Sequence, residues 1–175
     1  MHAKGHLTVL VLTIAFIAVS LGGCGPKGAT PRSPLASPQV STDGESAHEA
    51  LMAFFSLLHD QRYSEAINYY GGPYDVLRDW NPGVAPADHA ALFRNGCTVN
   101  GLRCLRIRGI LQEEEVAPAE FRLTVEFMDD DGNLFSLGPC CGATGTEMPA
   151  QAQFTYTVKK VDSRFLVQEL PVYVP

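Results

Sequence analysis

Positive charge is scarce in this chain: thirteen Lys and Arg stand against nineteen Asp and Glu, for a formal net charge of −6. That deficit argues against a nucleic-acid binder, because the phosphate backbone demands a positive field. Catalytic signatures are missing as well. No Gly-x-Ser-x-Gly, no His-Glu-x-x-His and no phosphate-binding loop occurs, which removes three familiar routes to hydrolysis and nucleotide chemistry. The twelve-residue EF-hand pattern is absent, so the runs Glu113-Glu114-Glu115 and Asp129-Asp130-Asp131 read as solvated turns. No internal repeat is visible. Long apolar runs are also few: one extends from Leu7 to Val19, and no later stretch is long enough to span a membrane. Nothing in these patterns calls for a cofactor or a metal.

The apolar run is short of the ~20 residues of a comfortable span. With Lys4 before it, it has the flanks of a secretory leader. Leu21-Gly22-Gly23-Cys24 follows. This stretch resembles the lipobox of bacterial lipoproteins, in which small residues precede a cysteine that receives a diacylglycerol. The resemblance implies a signal peptide over 1–23, lipidation at Cys24, and a mature chain on the non-cytoplasmic side of a bacterial membrane. Two or three acyl chains make a lasting anchor, since each buried methylene contributes about 0.8 kcal/mol.

Residues 25–45 hold four prolines and almost no apolar side chain. Such a segment buries too little surface to offset its ordering entropy. It reads as a tether, with lipidated Cys24, between membrane and a single domain over 46–175.

Within that domain, Ser46-Ala47-His48-Glu49 matches a capping box. Ala47, Ala50, Leu51, Phe54, Phe55 and Leu58 then recur at helical spacing, predicting a helix to about Asp60. Ser64 is placed to cap a second helix over 65–70, ended by Gly71-Gly72. Further helical turns are expected over 73–80, stopped by Asn81-Pro82. Another helix is expected over 86–94, with Gly96 at its C-terminal position. From Leu102 the period becomes two. Leu105, Ile107 and Leu111 are expected on one face, with Arg106 and Arg108 on the other. Phe121 to Phe127 and Phe154 to Lys159 alternate without a fault. A short strand should end at Leu137. The last strand, 164–174, has an ambiguous phase, and a bulge near Pro171 would switch it.

Helices followed by an antiparallel sheet give an α+β fold with the helices on one sheet face. The stretch Leu57-Leu58-His59-Asp60-Gln61-Arg62-Tyr63-Ser64-Glu65-Ala66 resembles the opening helix pair of small cystatin-like exported domains. These belong to the nuclear-transport-factor-two-like superfamily, and Phe165-Leu166-Val167 resembles their last strand. The resemblance implies N-terminal helices packed on a curved antiparallel sheet around a cone-shaped cavity, which some members use for isomerase or dehydratase chemistry.

Four cysteines remain besides Cys24: Cys97, Cys104, Cys140 and Cys141. An even count in an exported chain favours disulfides. Three connectivities are open. A bond between adjacent Cys140 and Cys141 is strained, so cross-pairing of 97 and 104 with 140 and 141 is the favoured expectation. The spacing fits neither a zinc site nor a Cys-x-x-Cys redox motif. Arg103, Arg106 and Arg108 read as a solvated strand face. His59-Asp60 offers a base and an orienting partner, but both sit at a helix end, where a cationic His favours the dipole. Glu169 would point into the apolar concavity if it shares a face with Phe165 and Val167, and a carboxylate there could serve as a base. A bulge would instead turn it to solvent. Tyr69, Tyr70, Tyr74 and Trp80 gather around Gly71-Gly72-Pro73. With Tyr156 and Glu169, the last three of these aromatics form a candidate pocket, the competing reading being plain packing. The reading that follows is a lipid-tethered binding or accessory module whose partner is an envelope protein or a small apolar ligand. A small enzyme using the cone, or a thiol-redox module, is the alternative.

Overall fold

A computed structural model describes residues 42–139, 143–146 and 148–174. Cys24, the expected signal peptide, nearly all of the expected tether, and Cys140 and Cys141 lie outside the described residues. The described part is helical in its first half and mostly extended in its second.

Helix α1 spans Thr42–His59. It begins four residues before the expected cap, so Ser46 lies inside the helix. A tertiary contact accompanies the extra turn: Lys160 donates to the Asp43 carboxylate at 2.9 Å. The apolar stripe from Ala47 to Leu58 is buried throughout. Gln61 adopts a left-handed φ of 60° as the chain turns away. Helix α2, Tyr63–Ala66, continues as a 3₁₀ turn over Ile67–Tyr69. Ser64 falls inside α2 and does not cap it. Arg62, just before the helix, instead pairs with Glu65. Helix α3 is Asp75–Trp80 and ends at Asn81 as expected.

Helix α4, His89–Thr98, starts later and runs longer than its pattern suggested. Asp88 caps it, accepting from the Ala91 amide at 3.0 Å. Gly96 is buried within α4 and does not end it. A Cβ there would come within 2.9 Å of Leu102, so the glycine serves close packing.

The sheet has order β1-β2-β3-β4, every neighbouring pair antiparallel. The strands are β1 Arg106–Ala117, β2 Glu120–Met128, β3 Gln153–Val161 and β4 Arg164–Val167. Phe121, Leu123, Val125 and Phe127 of β2 join Phe154, Tyr156 and Val158 of β3 on the core face. Leu51, Phe54, Phe55 and Leu58 of α1 and Leu92 and Phe93 of α4 complete that core. The result is α+β, with a four-stranded antiparallel sheet.

Several expectations about the strands change. β1 carries register shifts between Ile107 and Gly109, Ile110 and Gln112, and Glu115 and Ala117. Each shift resets the two-residue phase, so Leu111 leaves the Ile107 face and is 50% exposed. Glu113, Glu114 and Glu115 belong to β1 and are not a turn, although all three are solvated. Past β2, the expected short strand to Leu137 reduces to single bridges, Met128 with Leu134 and Leu137 with Gln151. Asp129 organises the turn between, its carboxylate accepting from the Asp131 and Asn133 amides.

β4 is shorter than expected. It ends at Val167, and no bulge at Pro171 is needed. Phe165, Leu166 and Val167 are all buried, which explains the ambiguous phase. Phe165 and Val167 meet the core, while Leu166 lies against Gly71, where a Cβ on the glycine would fall 2.9 Å from the Leu166 Cβ. Along the strand's edge Tyr70 bridges Val167, and the Gly71 amide donates to the Val167 carbonyl at 2.8 Å. Gly72 permits this approach, because a Cβ would fall 2.0 Å from the Gln168 carbonyl oxygen.

Candidate functional site

The structure brings together part of the expected aromatic pocket. Tyr70 is buried and stacks on Phe54 with centroids 5.7 Å apart. Its hydroxyl donates to the Pro73 carbonyl at 3.0 Å. Tyr74 meets the Tyr70 ring edge-on, and its other side stacks on His89 at 3.7 Å. The Arg78 guanidinium lies 5.9 Å from the Tyr74 ring. Tyr156 is buried against Phe55 and Phe127. Trp80 is not part of this group. It lies against Tyr173, at the end of the domain where the chain enters and leaves Leu102.

Burial controls the chemistry of these phenols. Desolvation raises Tyr156 far above the ordinary tyrosine range, with the Glu169 charge adding to it and a backbone hydrogen bond at Val172 opposing it. Tyr70 is raised in the same way, by burial first and then by Tyr74 and Glu169. Burial takes Tyr74 up to about 12, against the pull of Arg78. All three are held as neutral phenols near pH 7, suited to packing and hydrogen bonding. None is poised to exchange a proton there.

Glu169 is half-buried, near enough to Tyr70 and Tyr156 for its charge to act on both phenols. Its carboxylate accepts from the Thr157 amide at 2.7 Å. The next residue back, Gln168, donates its amide to the Thr157 carbonyl at 3.0 Å. β4 has already left the ladder here, and the Glu169 side chain takes the place of a missing strand carbonyl. A buried amide left unpaired would be costly, so the half-buried Glu169 has a structural occupation that needs no substrate.

The disulfide expectation is overturned in part. Cys97 is bonded to Cys104, with Cα atoms 5.6 Å apart. Cross-pairing of these residues to Cys140 and Cys141 is therefore excluded. The reason is local. α4 continues through Cys97, and the chain returns at Leu102, whose amide donates to the Gly96 carbonyl at 2.9 Å. Cys104 is thereby brought beside the helix end. The bridge lines a groove of about 410 Å³ with His59, Arg103 and Asp130. His59 and Asp60 are not an acid–base pair. The His59 ring contacts the Cys104 carbonyl at 3.3 Å, while Asp60 takes a 2.6 Å bond from Arg106 that lowers its pKa. Of the three arginines, Arg106 thus has an ion pair, and Arg103 lies over Phe135 and 3.9 Å from Asp130.

The largest groove described, about 780 Å³, runs between α1, the α2 turn and the β3–β4 turn. Ala50, Ala53, Leu57, Tyr69 and Phe165 form its apolar lining, with Arg62, Glu65 and Arg164 among its charges. Sequence reading did not find this groove, because its small α1 residues carry no chemical signal. It also missed Asn81, a buried polar side chain. Asn81 donates to the Leu77 carbonyl and to Asn100 Oδ1, and accepts from Asn95. Three asparagines thus tie α3, α4 and the loop after α4. Among the described residues, no group of three or more His, Cys, Asp or Glu is placed to hold a metal ion. Compared with known proteins, the chain matches no family model and no curated protein sequence.

Proposed function

We propose that this protein is a lipid-tethered accessory module of a bacterial cell envelope, anchored through Cys24 and binding its partner on its outer surface. The observation that carries the binding role is the filled interior. Phe54, Phe55, Phe93, Phe127 and Tyr156 occupy the space between helices and sheet. A chamber enzyme needs that space for its substrate. With it filled, the surfaces left for recognition are grooves on the outside. The domain is of the cystatin-like, nuclear-transport-factor-two-like kind in this reading. Support comes from the order of a long helix, a tight turn ending at Tyr63, short helices and an antiparallel sheet. The anchor rests on Leu21-Gly22-Gly23-Cys24 after the apolar run. No helix among the described residues is long and apolar enough to cross a membrane, so no described helix competes with Cys24 as the attachment.

Fractionating cells that make the wild type and Cys24→Ala tests the reading. The wild type should sediment with membranes and the variant should not. Equal recovery of both in the membrane pellet would show that Cys24 is not the attachment.

A further inference from the structure

Val99 and Tyr173, with half-buried Trp80, form an apolar corner beside the loop that follows α4. Val99 is 75% exposed and Tyr173 46% exposed, both unusually open for side chains of their type. The Trp80 and Tyr173 rings lie 5.1 Å apart. With Asn100, Gly101 and Val174 they line a shallow depression of about 350 Å³. Next to Trp80 in the chain, residues 81–87 (Asn-Pro-Gly-Val-Ala-Pro-Ala) carry no charge.

We infer that this corner is a membrane-contact surface, seated at the headgroup boundary of the bilayer that holds the tether. The inference rests on the proposed anchoring. Trp and Tyr suit that boundary because each presents an apolar body and a polar tip. The patch is also the wrong size for a protein partner. Six residues line it, whereas a stable protein interface takes about 20–30 from each side. A lipid surface has no such minimum, because the anchor already supplies the local concentration.

Charge sets the lipid class. Asp79 and Asp88 flank the uncharged segment, and acidic residues outnumber basic ones in the whole chain. The contact is therefore apolar, favouring zwitterionic over anionic headgroups. The tether is long enough to allow it. Asp43, at the start of α1, binds Lys160 at the end of the domain that holds both strand turns, and the corner lies at the other end. Helix α1, with eighteen residues, is about 27 Å long. The seventeen residues between Cys24 and Thr42 reach roughly 50 Å when extended.

Trp80 is the single tryptophan, so its fluorescence reports directly on the corner. The chain from residue 24 onward, with a histidine tag replacing Cys24, is held on phosphatidylcholine vesicles through a nickel-chelating lipid. This supplies the anchor whether or not Cys24 is lipidated in cells, so the two proposals fail separately. Trp80 emission should move to shorter wavelength on tethering and be quenched by bromine-labelled acyl chains. Val99→Asp should abolish both effects, and Val161→Asp, on an exposed residue at the opposite end, should preserve them. Adding phosphatidylglycerol to the vesicles should weaken them. Emission unchanged on tethering, or quenching that survives Val99→Asp, would overturn the inference. A shift that instead grows with protein concentration in the absence of vesicles would overturn it in favour of self-association.

Discussion

Replacing Asn81 with alanine should lower stability by about 2–3 kcal/mol, although the residue touches neither the sheet nor any groove described. The side chain makes three hydrogen bonds, of 2.8 Å to Leu77, 3.0 Å to Asn100 and 2.9 Å from Asn95. Each is worth ~0.5–1.5 kcal/mol net, so the sum is about 3 kcal/mol. Asn95 and Asn100 are only half-buried, and water can repair part of the loss, which sets the lower end. For a domain of this size, 2–3 kcal/mol corresponds to a fall in Tm of roughly 10 °C. Asn81→Asp adds a pH test. The carboxylate keeps the acceptor for Asn95 but turns negative charge toward two other acceptors. Its folded pKa should therefore rise above the ordinary ~3.9. A raised pKa means stability present below the unfolded value and lost as pH rises through the folded one. Asn81→Asp should thus melt closer to the wild type at about pH 3 than at about pH 7. Melting curves by far-ultraviolet circular dichroism read both effects. An alanine variant melting within about 2 °C of the wild type would show that the three asparagines are a surface ornament.

The Cys97–Cys104 bridge closes a loop with a sequence separation of 7. Cys97→Ser with Cys104→Ser should cost about 2.5 kcal/mol by the loop-entropy relation. Non-reducing digestion with cleavage after Arg103 should release these two cysteines as a linked pair, and a peptide joining either to residues 140–141 would contradict the structure. Tyr70 and Tyr156 have folded pKa values raised by burial. Their contribution is complete below the unfolded value of about 10 and drains away as pH climbs past it. Stability should therefore fall above that pH, less steeply in Tyr70→Phe and Tyr156→Phe. Equal slopes in urea titrations of all three proteins would dismiss the two phenols as the source.

The parts of the fold that were legible in the sequence are those where one face meets the core and the other meets water. Ala47 to Leu58 and Phe121 to Phe127 show this, since one periodicity carries the information. Legibility failed where tertiary contacts set the outcome. β4 is buried on both sides, so no alternation could give its phase. β1 slips its register three times, and single residues do not announce a bulge. Asn81 looked like a helix stop, which it is, and its bond to the Leu77 carbonyl is local, but its other two partners, Asn95 and Asn100, come from later in the chain. The grouping of the aromatics was partly legible, although the residues that meet do so by packing and line none of the grooves described. Tyr70, Tyr74, Tyr156 and Glu169 do gather, whereas Trp80 belongs to another surface. The disulfide was misjudged because strain in an adjacent pair was weighed without knowing that α4 delivers Cys97 to Cys104.

The two edges of the sheet are treated differently, with consequences for life at high local concentration. β4 is sealed by the bridge from Tyr70. β1 is a long outer strand that pairs, among the described residues, only with β2. A flat strand of that length would invite another chain to add to it and begin a fibril. Its slips break the even spacing of hydrogen-bonding groups that a newcomer would need. Glu113 and Glu115 sit opposite Leu123 and Phe121, on the face where an added strand would have to bury its own side chains. Any intruder would therefore meet carboxylates where it needs oil. Copies of this domain held close together would be kept from coalescing by the irregularity of one strand.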